Sequence, residues 1–280
     1  RATDYYLMDG YNDSNYPDVT PERDGKRLIV QPNTFNMYCH REPRFYLTVV
    51  WNGQWFKWEN RNTNFLYGQP DGGPTHDAPQ NGYLNRSRVS LDYIPRDNNH
   101  PYRPAIIFRM AEAYLSYAEA LNESSERMSH KQEILDNLNK IRHRAGIAEY
   151  GTGTDENGFT RIKINFSDQK EVRRLIHKER RVEFVGEGVR YHDLRRWKTA
   201  HYGIGNLNEQ GENPDWGVNG PDYGMNYYGT EYTDQGDNAF FKRTKYMDRV
   251  YPRKFYWYPI HQSEIDKDPT LVQGPFWLGE

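Results

Sequence analysis

Residues 170–198, KEVRRLIHKERRVEFVGEGVRYHDLRRWK, restrict the possible folds more than any other stretch of the chain. They hold ten Lys or Arg and five acids, a formal charge of +5. Val172, Leu175, Ile176 and Val182 nevertheless form an apolar stripe at helical spacing. Asp168 with Glu171 predicts a cap, and Gly186 and Gly188 an end, for a helix over about 168–186. A second helix over about 188–199 follows at once. Steps of seven from Val172 and Ile176 reach Glu179 and Glu183, which therefore lie on or beside the buried stripe. A carboxylate at an apolar interface needs a partner or it takes up a proton. The nearest guanidiniums are those of Arg190, Arg195 and Arg196 on the next helix, and an Arg fork suits a carboxylate. The expectation is a structural ion-pair clasp: Glu179 and Glu183 held by Arg190, Arg195 and Arg196.

Two other readings of the same charges are weaker. A phosphate-binding helix would segregate its bases, whereas here acids interleave with them, and the whole chain carries a net −2. His192-Asp193 resembles an acid/base dyad, but adjacent helical residues point about 100° apart. The chain has no H-E-x-x-H, G-x-S-x-G, phosphate-loop or C-x-x-C pattern. No metal site, cofactor or catalytic residue is nominated. Cys39 is the single cysteine, so no intrachain disulfide forms.

The 280 residues suffice for one large domain or two small ones. Apolar residues make up 36 % and aromatics 15 %, with 23 Tyr and 7 Trp. That balance predicts a modest core, much loop, and rings serving both core and surface. No stretch reaches the roughly 18–20 apolar residues of a membrane span. "RATDYYLMDG" is not a signal peptide, so the expectation is a cytoplasmic chain or one whose front end is missing.

Residues 1–40 read as irregular, interrupted by Pro17, Pro21 and Pro32. In "RFYLTVVWNGQWFKWEN", Asn52-Gly53 predicts a two-residue β-hairpin pairing Trp51 with Gln54 and Val50 with Trp55. Leu47, Val49, Trp51, Phe56 and Trp58 then form its core face, and Trp55 lies on the more polar one. Residues 60–103 are loop-like. A helix over about 104–122, started by Pro104, carries Ile107, Met110, Ala111, Tyr114, Ala118 and Leu121 inward and Glu112, Ser116, Glu119 and Glu123 outward. A helix over about 130–145, capped by Ser129 and Gln132 and ended by Gly146, buries Ile134, Leu135, Leu138 and Ile141. The two make a helical hairpin of the kind that builds tetratricopeptide-like arrays. Residues 200–254 are a turn-rich, tyrosine-rich excursion, before a strand-like "KFYWYPI" and a last helical turn in "QSEIDKDP".

Exposed rings on a rigid scaffold can stack on sugar faces. The candidates are Trp55 on the polar hairpin face, with Tyr67, Trp216, Tyr223, Tyr227 and Tyr228 in loops.

In order along the chain, "REPRFYLTVVWNG", "RPAIIFRMAEAYLSYAEALNE", "ILDNLNKIRHRAGI", "LIHKERRVEFVGEGVRYHDLRRWK" and "WYPIHQSEIDKDPTLVQGPFW" resemble the SusD/RagB family. His261 stands where the family usually has proline, and "QGPFW" replaces its usual closing Asn-Pro-Gly-aromatic. The resemblance implies a mainly α fold, with tetratricopeptide-like helix pairs, long irregular loops and a small β-hairpin. Residues 1–103 would supply loops and hairpin, 104–199 the helical core, and 200–280 the excursion and C-terminal segment. It also implies that this is the C-terminal part of a longer protein, partnered by its own N-terminal half. Such proteins are non-catalytic, lipid-anchored at the outer-membrane surface of Gram-negative bacteria. They capture oligosaccharides, or in some members peptides, for a SusC-type TonB-dependent transporter. A glycan-cleaving enzyme or a helical-repeat scaffold remain the readings from other classes.

Overall fold

The computed structural model describes residues 34–39, 41–56, 59–87, 89, 97–98, 100–102, 105–203 and 217–278. Trp58, Pro104 and Trp216 lie outside them. The described helices are α1 (Pro43–Thr48), α2 (Met110–Glu123), α3 (Lys131–Ala145), α4 (Gln169–Glu183), α5 (Val189–Arg196) and α6 (Gln262–Lys267). The strands are β1 (Val49–Trp51), β2 (Trp55–Phe56), β3 (Arg61–Asn62), β4 (Tyr83–Asn85), β5 (Gly220–Gly224) and β6 (Thr244–Arg249). They form three two-stranded pairs, β1 with β4, β2 with β3, and β5 with β6. The chain divides into two compact units, residues 1–187 with 223–244, and residues 188–222 with 245–280.

In the first unit, α2 packs against both α3 and α4. Leu115, Ala118, Ile134, Leu138, Ile141, Val172 and Ile176 are among the buried apolar side chains of these helices, each large one contributing roughly 1.5–3 kcal/mol. Gly146 ends α3 in the left-handed conformation at φ 69°, and its N–H bonds back to the last turn. The Asp168 carboxylate caps α4 by accepting from the N–H groups of Lys170 and Glu171. Both were expected from the sequence.

Three local expectations are revised by the structure. The helix expected from Pro104 starts at Met110, with Arg109 extended and Ile107 96 % exposed. From this extended position just before the helix, Arg109 turns its guanidinium onto Glu183 and Glu187. Glu119, expected outward, is buried because α2 is covered by two helices, with Glu119 facing His177 at 3.7 Å. Ser129 does not cap α3; its hydroxyl donates to the Glu126 carbonyl, and His130 takes the cap position.

The hairpin at Asn52-Gly53 is also redrawn. The turn exists, with Gln54 N–H bonding the Trp51 carbonyl at 3.2 Å and Gly53 at φ 91°. Its two arms, however, pair elsewhere. Val49, Val50 and Trp51 face Asn85, Leu84 and Tyr83, while Trp55 and Phe56 face Asn62 and Arg61. The Asn52 side chain accepts from Phe65 N–H at 2.7 Å, so the turn residue serves a distant segment. Residues 43–48 are helical, leaving Leu47 exposed and Tyr46 buried. Trp51 is fully buried between Tyr38, Phe45 and Tyr46, at ring distances of 5.8, 5.5 and 5.4 Å. Met225, Phe240 and Phe241 join this aromatic core from the returning segment.

The second unit has a smaller core of Leu194, Ala200 and Tyr251, flanked by Val218 and Tyr256. Asn219 ties it together, its amide donating to the His201 and Tyr251 carbonyls. The expected terminal strand is instead a 3₁₀ turn at Arg253–Tyr256, and α6 is the expected last helical turn.

Candidate functional site

Two loops of the first unit bring three of the six candidate rings together. Tyr67 lies 5.5 Å from Tyr228 and 6.1 Å from Tyr227, and Tyr227 lies edge-on to Tyr228 at 5.1 Å. The loops are tied by Tyr67 N–H to the Gly229 carbonyl at 2.8 Å. Gly73 is beneath the Tyr227 ring: a Cβ there would sit 2.5 Å from Cζ, so a side chain would displace the ring. On the other loop, Asn226 N–H bonds the Phe240 carbonyl at 2.9 Å, anchoring Tyr227 and Tyr228 to the aromatic core. The result is a corner of inclined rings with Tyr67 and Tyr227 half-buried and Tyr228 70 % exposed.

The other candidates lie apart from this cluster. Tyr223 is exposed on β5, with the Arg243 guanidinium 3.8 Å over its ring, so a cation already occupies one face. Trp55 is half-buried on β2 opposite Asn62, not on the face of a 52–53 hairpin. Trp216 is outside the described residues.

The expected acids of the clasp are held by bases of the first unit. Arg44 donates to Glu179 at 2.6 Å and Glu183 at 3.0 Å, and grips Glu42 with two bonds of 2.8 and 3.0 Å. Arg142 donates to the other Glu179 oxygen at 3.0 Å. Arg109 and Arg144 both bond Glu183, and Arg109 grips Glu187 bidentately at 2.7 and 2.9 Å. Four carboxylates thus meet four guanidiniums. Burial pushes the Glu179 carboxyl up, but Arg44 and Arg142 outweigh it and hold it below the ordinary range. Burial raises the Glu42 carboxyl, only partly offset by Arg44.

Within the second unit the α5 arginines make contacts of their own. Arg195 donates to the Tyr191 and Tyr258 hydroxyls at 2.8 and 3.0 Å and to the Tyr256 carbonyl at 2.7 Å. Arg196 bonds Asp193 at 2.8 Å, and the Arg190 guanidinium lies 6.0 Å from the centre of the Trp197 ring. Sequence proximity pointed to the next helix; within the first unit, α4 turns its carboxylate stripe toward α1, α3 and the residue preceding α2, whose guanidiniums hold it.

Neither buried acid of α4 is therefore available for proton transfer without breaking guanidinium bonds. His192 is exposed while Asp193 is buried. Among the described residues no cluster of His, Cys, Asp and Glu is placed to hold a metal ion, and no helix is long and apolar enough to cross a membrane.

The sequence profile of the SusD family matches residues 2–277. The chain belongs to the SusD family. Two SusD-like proteins of Formosa agariphila, P25 and P38, are each 32 % identical to it, over 109 and 103 residues. Those segments are 39 % and 37 % of this SusD-family chain, and 18 % and 19 % of the relatives. A crystal structure of a SusD-like protein from Bacteroides fragilis matches at 27 % identity and TM-score 0.59, covering 88 % of this chain and 40 % of that one. A second B. fragilis structure, described as a SusD-like carbohydrate binding protein, matches in fold at 24 % identity and TM-score 0.57, covering 86 % and 44 %. The chain thus spans less than half the length of these SusD-family relatives.

Arg44, Arg109, Arg142 and Arg144 were missed in the sequence. Arg142 did leave a signal: it stands four residues after Leu138, on the buried stripe of α3, and is 1 % exposed. Arg44 and Arg109 left none, because each comes from a segment distant in sequence. The Tyr191–Arg195–Tyr258 group also escaped notice.

Proposed function

We propose that the full protein captures oligosaccharides at the bacterial surface without cleaving them, and that Tyr67, Tyr227 and Tyr228 form a stacking surface for the sugar. The exposed Tyr228 ring, backed by two inclined rings on glycine-tight loops, carries this reading. Such a corner offers an apolar face beside phenol hydroxyls, which is what a pyranose ring with its equatorial hydroxyls needs. Family membership and the carbohydrate-binding B. fragilis neighbour support the ligand class. The guanidinium pairing of Glu179 and Glu183 supports the absence of catalysis, since it removes the two most conspicuous buried carboxylates from chemistry. We assign the clasp of Glu42, Glu179, Glu183 and Glu187 to holding α4 in register with its neighbours, not to binding ligand.

In this reading the protein is lipid-anchored at the outer membrane and hands its ligand to a SusC-type TonB-dependent transporter. Its N-terminal half packs on the exposed apolar run of Ile106, Ile107 and Phe108, where three large side chains in succession face water in this portion of the chain. The test is calorimetry on the full-length protein with neutral glycans and with peptides, repeated with Tyr228→Ala. Glycan binding that weakens roughly tenfold in the variant supports the assignment. Peptide binding without glycan binding replaces the ligand class, and glycan binding unchanged in Tyr228→Ala removes the corner from the site.

A further inference from the structure

The two loops that carry the corner are acidic. Residues 66–80 contain Asp71 and Asp77, residues 224–241 contain Glu231, Asp234 and Asp237, and neither stretch has a Lys or Arg. Two of these charges are balanced from outside the loops, Asp71 by Arg61 at 2.6 Å and Asp237 by Lys242 at 2.7 Å. The Arg243 guanidinium lies over Tyr223. Asp77, Glu231 and Asp234 are exposed; among the described residues, the neighbouring His76 ring faces Asp77 at 3.2 Å.

Their distance from the corner is limited by the chain. The Tyr227 hydroxyl reaches the Thr75 carbonyl at 3.5 Å, and Asp77 is two residues further on, at most about 7–8 Å of backbone. Glu231 is three residues after Tyr228, at most roughly 11 Å. Those lengths are comparable to a Debye length of about 8–10 Å in physiological salt, so the field of these acids reaches a bound sugar. The tyrosine faces add to it, since an aromatic face attracts cations and repels anions.

Resting on the corner as the sugar site, we infer that it discriminates by charge: it accepts neutral and amine-bearing saccharides and rejects uronic or sulfated ones. The rejection comes from like charge at the rim and costs no contact with the accepted sugar. The experiment titrates the full-length protein with length-matched oligosaccharides in which one backbone appears in neutral, 2-amino and uronate forms, using glucan, galactan and mannan series. Within the series that binds, the neutral and amine forms are expected to bind at least tenfold tighter than the uronate in low salt. The uronate gap should narrow in 0.5 M salt, and fall to within about threefold in Asp77→Asn/Glu231→Gln/Asp234→Asn. A uronate that binds as tightly as its neutral counterpart, and is weakened by Tyr228→Ala, overturns the charge filter while leaving the corner as the site. Binding that ignores Tyr228→Ala, or no binding in any series, overturns the corner itself and the filter with it.

Discussion

The clasp and the tyrosine corner lie in the same compact unit and use polar side chains in opposite ways. In the clasp, Glu179 is 4 % exposed and each of its oxygens meets a guanidinium, so at its centre the charges answer one another. In the corner, the rings rest on loop backbone and the most exposed, Tyr228, leaves much of its surface to water. The clasp spends its chemistry on holding helices in register; the corner takes rigidity from the glycines and core beneath it and keeps its chemistry for a ligand. A disturbance of the first should therefore register as stability, and of the second as affinity.

The largest expected effect comes from removing the shared base. Arg44→Ala leaves Glu42, Glu179 and Glu183 without their common partner and should cost about 3–5 kcal/mol in a urea melt, the usual penalty for breaking a buried ion pair. A loss under about 1 kcal/mol would mean that the clasp is open to water. Next comes a contrast within the clasp. The Glu179 carboxyl is held low in the folded state, so its contribution is present above the unfolded pKa of about 4.3 and is lost as pH falls through the folded value. The Glu42 carboxyl is held high, so its linkage runs the other way, diminishing stability as pH rises from about 4.3 through its folded value. At pH 7, Glu179→Gln should therefore lower the melting temperature more than Glu42→Gln does, and the difference should shrink toward pH 3. Equal losses at both pH values would undo the assignment of opposite signs.

On the corner the expected effects are smaller and move to a different readout. Gly73→Ala places a methyl 2.5 Å from the Tyr227 ring; the cost should be about 1–3 kcal/mol if the ring resists, and glycan affinity should fall with it. Tyr228→Ala should leave the melting temperature within the range of a surface change, about 0.5 kcal/mol, while weakening glycan binding about tenfold, or 1.4 kcal/mol. If Tyr228→Ala destabilises as much as Glu179→Gln, the contrast between the two regions collapses.

How much of this was legible in the chain depends on range. The caps at Asp168 and Gly146, the stripes of α3 and α4 apart from the half-buried Leu135 and Val182, and the burial of Glu179 and Glu183 follow from spacing within one helix and are found. The start of α2, the pairing of β1 and β2, and the bases of the clasp depend on residues tens of positions away. In each case a favourable local pattern lost to a distant partner: Asn52 to Phe65, Arg109 to Glu183 and Glu187, Trp51 to the ring cluster it completes. For the corner, composition pointed to tyrosines in loops but could not say which three would meet.

The amino-acid sequence by itself determined the helical character of α3 and α4, most of their buried stripes, the acids that needed partners, and the family to which the chain belongs, because these depend on periodicity and on short-range steric and dipole preferences. Only the tertiary structure decided which guanidiniums answer those acids and which rings converge. Those choices rest on the geometry of loops closing across long separations, where many arginines and tyrosines are chemically equal and only the packed backbone selects among them.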